Sequence, residues 1–152
     1  MRGVDIMKIT EDDLGRLTEK VWSSILGLAL DRIPKADTAD QRISLTARVR
    51  MSAGDWTGAL TLGCSDLLAA RIAMVVHQSQ TNLTTSQIEH AVGRVTELNA
   101  SEVKETARSA CILAPPIVYE KRDVIPIGTR RIACVAFGCY SQPLLVTLVE
   151  RQ

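Results

Sequence analysis

Five side chains could do chemistry together. Arg94, Glu97, Ser101, Lys104 and Arg108 recur at spacings of three and four, which places them on one face of a helix. A guanidinium and a carboxylate three residues apart either pair with each other, at about 0.2–0.5 kcal/mol, or are presented to a partner, where Glu97 could order a water molecule. Asn99 and Glu102 follow Val95 by four and seven, at the edge of the apolar stripe. A carboxylate there calls for a partner or a half-exposed position, because burying it alone is costly. His77 and His90 have no Ser, Cys or Asp at motif spacing, so no catalytic triad is legible. Cys64, Cys111, Cys134 and Cys139 form no CxxC pair and lie at no ligand spacing from either histidine. They read as buried free thiols, not a zinc site. Gly54-Asp55 is a turn signal, and no Gly-rich nucleotide cradle is present.

The stripe needs a helix, and residues 83–109 supply the longest helical pattern. Thr84, Thr85 or Ser86 can cap it, and Ile88, Ala91, Val92, Val95, Leu98 and Val103 form its apolar side. A first helix is expected over 9–28, capped by Thr10 with Asp13 three residues on. Its stripe is Leu14, Leu17, Val21, Ile25 and Leu28, widened by Trp22. Pro34 and residues 35–41 read as a loop. Ile43, Leu45, Ala47, Val49 and Met51 alternate with polar residues, turn at 52–55 and return over 56–64, the pattern of a hairpin. Ser65 caps a helix through Leu68, Ile72 and Val76 that ends near His77. Strands follow at 117–119, 131–139 and 144–149, the last two connected by 138–143. Trp22 and Trp56 are expected as core anchors. Helix, two strands, two helices and three strands imply one α/β (α+β) domain over 1–152, a mixed or antiparallel sheet packed against long helices.

Composition narrows the function. Hydrophobic residues make up 46% of the chain, too many for a disordered segment. The net charge is +1 and aromatics are 3%, which argues against a nucleic-acid surface built on basic patches or base stacking. No apolar run approaches the ~20 residues that span a bilayer. The polar N-terminus does not resemble a signal peptide. The expectation is a cytoplasmic protein.

Several segments resemble the CheX-like branch of the CheC/CheX/FliY chemotaxis phosphatases. They are Val21-Trp22-Ser23-Ser24-Ile25-Leu26-Gly27-Leu28; Gly54-Asp55-Trp56-Thr57-Gly58-Ala59-Leu60-Thr61-Leu62 with Cys64-Ser65 and Leu68-Ala69; Ala91-Val92-Gly93 with Lys104; and Gly138-Cys139 with Gln142-Pro143-Leu144. They occur in the family's order along nearly the whole chain.

The resemblance implies a protein that binds a CheY-type receiver domain and forms a homodimer through sheet-edge contacts. Members that work as enzymes resemble one another in a Glu-x-x-Asn pair on the long helix. The Glu engages the receiver's lysine and the amide positions the water that hydrolyses the aspartyl phosphate. The Mg²⁺ belongs to the receiver, so the chain is expected to hold no cofactor or metal. Gly93 and Lys104 set the register, and the pair's positions are then Arg94 and Glu97. Arg94 inverts the expected ion pair with a lysine, and Glu97 brings negative charge toward a phosphoryl group. Weakened or lost phosphatase activity follows, with Arg94, Glu97, Ser101 and Lys104 as a partner-binding face. Two alternatives stand beside this one. One is an active phosphatase using Glu97 or Glu102 on the same helix; the other is a non-enzymatic structural interaction module.

Overall fold

The computed structural model describes residues 6–34, 43–79, 81–120 and 128–152. Thr10 starts α1 (Glu11–Val21) with a reciprocal cap. Its hydroxyl accepts from the Asp13 N–H at 3.0 Å, and its own N–H donates to the Asp13 carboxylate at 3.0 Å. The single helix expected over 9–28 is divided. A 3₁₀ turn (Ile6–Lys8) precedes Thr10, and after Val21 the chain widens into a π-helical turn (Trp22–Leu26). Gly27, at φ 67°, stops it in the left-handed region that glycine enters without strain. The loop expected at 35–41 lies outside the described residues.

The hairpin is β2 (Leu45–Ala53) and β3 (Trp56–Cys64), with Ala53 opposite Trp56. Ser65 caps α2 (Asp66–Val76), and Thr84 caps α3 (Thr85–Ala107) with Gln87 closing the box. Two short strands escaped the sequence reading: β1 (Asp31–Ile33) and β4 (Ile112–Leu113). Each is too short to show a period. After β5 (Ile117–Tyr119), the long strands β6 (Thr129–Cys139) and β7 (Gln142–Arg151) close the sheet. The connection expected at 138–143 shrinks to Tyr140-Ser141, both at positive φ, and Gly138, Cys139, Gln142 and Pro143 belong to the ladder.

The seven strands run β1-β6-β7-β3-β2-β4, with β5 also on β2, and every pairing among the described residues is antiparallel. The fold is α+β. One core joins residues of all three helices to alternate residues of the long strands, such as Val49, Leu60, Leu62, Val146 and Phe137. Trp22 is fully buried, whereas Trp56 is half-buried, its ring lying over Gly58. The four cysteines are free and buried. Burial pushes the Cys64 thiol up to about 12, with the neighbouring Asp66 charge adding to it.

The topology repeats itself. Helix α1, short strand β1 and hairpin β2–β3 are matched by helix α3, short strands β4 and β5, and hairpin β6–β7. The hairpins meet antiparallel at the centre, where Thr61 faces Thr147. Each half lends its short strand to the other: β1 pairs with β6, and β5 with β2.

Candidate functional site

Helix α3 is held on its inner side by Val92, Val95, Ala100 and Val103, all fully buried. Asn99 is fully buried too and donates its amide to the Thr18 hydroxyl of α1 at 2.9 Å. One turn on, Lys20 of α1 meets Glu102 at 3.3 Å. Glu102 is half-buried with a cationic partner, the outcome a carboxylate at the stripe's edge requires. Both residues thus serve the α1–α3 contact.

The outer side of α3 carries the pair. Arg94 is exposed, Glu97 is half-buried, and the guanidinium meets the carboxylate at 2.7 Å. The pair lies on the wall of an open groove of about 760 Å³. Val76 from the end of α2, Ser86, Glu89 and His90 from α3, and Pro116 and Val118 from the β5 segment complete it. Residue 93 is a buried glycine, which lets the Pro116–Val118 segment pack close against α3. A Cβ there would lie 3.3 Å from Pro116 Cγ and 3.5 Å from Val118 Cγ2. His90 faces His77 across the α2–α3 contact with ring centroids 5.8 Å apart. The His77 imidazole is anchored by a hydrogen bond from its Nε2–H to the Gln87 carbonyl at 3.0 Å.

Of the sequence-selected residues, the groove brings together Arg94 and Glu97. Ser101 and Lys104 sit further along α3, half-buried and outside the groove lining. Lys104 lies near enough to Cys111 to oppose the burial that raises its thiol. Arg108 leaves the stripe, because it ends the helix in the left-handed region at φ 49°. Among the described residues there is no cluster of three or more His, Cys, Asp or Glu side chains able to hold a metal ion. None of their helices is long and apolar enough to cross a membrane.

The spacing of the stripe did not reveal a second copy of this motif. Leu14-Gly15-Arg16-Leu17-Thr18-Glu19 of α1 repeats as Val92-Gly93-Arg94-Val95-Thr96-Glu97 of α3. Burial agrees at all six positions: buried, buried, exposed, buried, buried, half-buried. Thr18 and Thr96 both return their hydroxyls to the carbonyl four residues back, at 2.7 and 2.8 Å. Self-comparison of the sequence at an offset of 78 would have exposed the signal.

The path of the chain decides the comparison with solved structures. A chemotaxis protein CheX from Vibrio vulnificus superposes at TM-score 0.74 with 15% identity, over 92% of this chain and 95% of that one. The chain has the CheX/CheC fold. A CheC-like superfamily protein from Shewanella sp. PV-4 gives 0.73 at 12% identity, covering 93% of this chain and 96% of that one. The CheX–CheY–BeF3–Mg²⁺ complex from Borrelia burgdorferi gives 0.71 at 12% identity, covering 91% and 96%. No family model and no curated protein sequence matches the chain. At this identity the CheX-like likeness resides in the path of the backbone.

Proposed function

We propose that this chain is a CheX-like signalling protein that docks a CheY-type receiver domain at the α3 groove and hydrolyses its phosphoaspartate weakly or not at all. The observation that carries the reading is the Arg94–Glu97 pair at 2.7 Å in an open groove on a CheX fold. One of the superposing structures is a complex of CheX with CheY, which supports a receiver as the partner.

Hydrolysis of an acyl phosphate needs a water held in line and no added negative charge near the phosphoryl oxygens. Glu97 supplies a carboxylate where an amide would order water without repulsion. Its charge is already engaged by Arg94. Arg94 in turn would meet a receiver lysine with like charge. Glu102, the other carboxylate that could activate water, is turned toward α1 and held by Lys20, which weighs against an active phosphatase. Under this reading the chain brings no metal or cofactor, and the Mg²⁺ is the receiver's. We also place the protein in the cytoplasm as a homodimer joined through sheet edges, a reading supported by the exposed Ile112 and Ile117 on β4 and β5.

The test is the decay rate of a phosphorylated CheY-type receiver, alone, with this protein, and with Arg94→Glu/Glu97→Asn. The expected result is little acceleration by the natural chain and clear acceleration by the double variant. Strong acceleration by the natural chain would show that Arg94 and Glu97 are not disabling. A pull-down with a beryllofluoride-activated receiver separates docking from a structural role that never meets a receiver.

A further inference from the structure

The two copies of the Gly-Arg-x-Thr-Glu motif differ in what covers them. In α1 the glycine lies beneath Arg32 of β1, whose guanidinium carbon is 2.6 Å from the place a Cβ would occupy. Arg32 then pairs with Glu19 at 2.8 Å and with Asp12 at 2.9 Å. Arg16 has its own acids one turn back, Asp12 at 3.1 Å and Asp13 at 3.3 Å. Every charge of that copy is therefore met from within the chain, by groups outside the Arg-x-x-Glu pair.

In α3 the corresponding partners are missing among the described residues. Pro116 stands over Gly93 where Arg32 stands over Gly15, and it offers no cation. His90 and Ala91 occupy the places of Asp12 and Asp13, so Arg94 has no acid three or four residues before it. Arg94 and Glu97 close on each other instead. An exposed pair of this kind is weak, so it opens readily for better partners.

Resting on the docking reading above, we infer that the α3 groove is an open copy of the site that α1 keeps closed with Arg32. The protein surface it accepts presents a basic side chain to Glu97 beside a carboxylate that meets Arg94. The closed copy supplies the geometry: a cation beside the glycine reaches the glutamate one turn further on, and in α3 Glu97 is approached through the groove beside Pro116. Charge complementarity supplies the chemistry, because inserting that dipolar pair replaces one weak internal contact with two intermolecular ones.

The test builds the closed arrangement into the open copy. Pro116→Arg places a guanidinium over Gly93, within reach of Glu97, and Pro116→Ala is its control. With an activated CheY-type receiver as the titrant, calorimetry should show wild-type affinity for Pro116→Ala and at least tenfold weaker binding for Pro116→Arg. Wild-type binding by Pro116→Arg would overturn the inference. A second measurement needs no receiver. Melting at low salt should show Pro116→Arg stabilised relative to Pro116→Ala, and that difference should vanish in a Glu97→Gln background. Zero coupling between the two sites would sink the inference even if receivers bind. Failure of the natural chain to bind any receiver, with the coupling present, would instead remove the docking reading and leave the groove's charge preference standing. If the natural chain self-associates and Arg94→Glu abolishes that association, the groove's occupant is a second copy and the partner assignment is wrong.

Discussion

Replacing Asn99 by Leu should leave the stability of the protein close to that of the natural chain. Asn99 sits at the α1–α3 crossing, fully buried, and its amide donates to the Thr18 hydroxyl at 2.9 Å. Its carbonyl oxygen has no hydrogen-bond partner among the described residues. The substitution removes one hydrogen bond, worth about 0.5–1.5 kcal/mol net, and also removes a buried acceptor whose desolvation costs about 1–3 kcal/mol. Thr18 is not orphaned, since its hydroxyl still donates to the Leu14 carbonyl at 2.7 Å. Leu has the branching and side-chain heavy-atom count of Asn but bulkier carbon groups, and the tighter fit takes back about 1 kcal/mol. The sum is near zero, within about 1.5 kcal/mol either way, or within about 6 °C in Tm for a chain of this length. Asn99→Asp is the opposite case, a carboxylate buried at the same crossing, and should lose roughly 3 kcal/mol or more at neutral pH. Urea unfolding followed by circular dichroism at 222 nm, with the slope checked for constancy, measures both. A loss above about 2 kcal/mol for Asn99→Leu at unchanged slope would overturn this expectation. It would mean that the Asn99 carbonyl is well satisfied and that the crossing depends on it.

Other outcomes follow from the same geometry. Gly15→Ala displaces the Arg32 guanidinium and breaks its pairs with Asp12 and Glu19, each worth about 0.2–1 kcal/mol, against a helix gain of about 1 kcal/mol. Its stability relative to the natural chain should therefore improve as salt is added, and melts at low and high salt will show whether it does. The N–H of Thr10, followed by its hydroxyl and by Arg16, holds the Asp13 carboxyl below its ordinary value of 3.8. The folded state therefore gains stability above that value and loses it as pH falls through the lowered one. Asp13→Asn should flatten this acid slope, as read from urea midpoints across pH. Cys64, fully buried and with its thiol pushed up to about 12, should resist iodoacetamide at pH 8 in the native protein and react only in denaturant, as peptide mass mapping would show. Arg94→Ala should shift Tm by no more than about 2 °C, because the exposed pair it breaks is weak.

The local rules of the chain were enough for its long elements. The Thr10, Ser65 and Thr84 caps, the alternation from Leu45 to Met51 and the stripe from Ala91 to Val103 place three helices and the central hairpin, because capping and periodicity act within a few residues. That Arg94 and Glu97 share a helix face was also legible, since a spacing of three settles which side chains can meet; that they pair came from the structure. What needed the tertiary structure was everything set by crossing. Strands of two and three residues such as β4 and β1 exist only because β2 and β6 offer them an edge. The π-helical turn at Trp22 and the two-residue turn at Tyr140 depend on where neighbouring elements lie. Above all, the same Arg-x-x-Glu spacing is closed on α1 and open on α3. That difference comes from which residue passes over the glycine, Arg32 of β1 in one half and Pro116, just before β5, in the other. Spacing along a helix says which residues share a face; only packing says what stands opposite them.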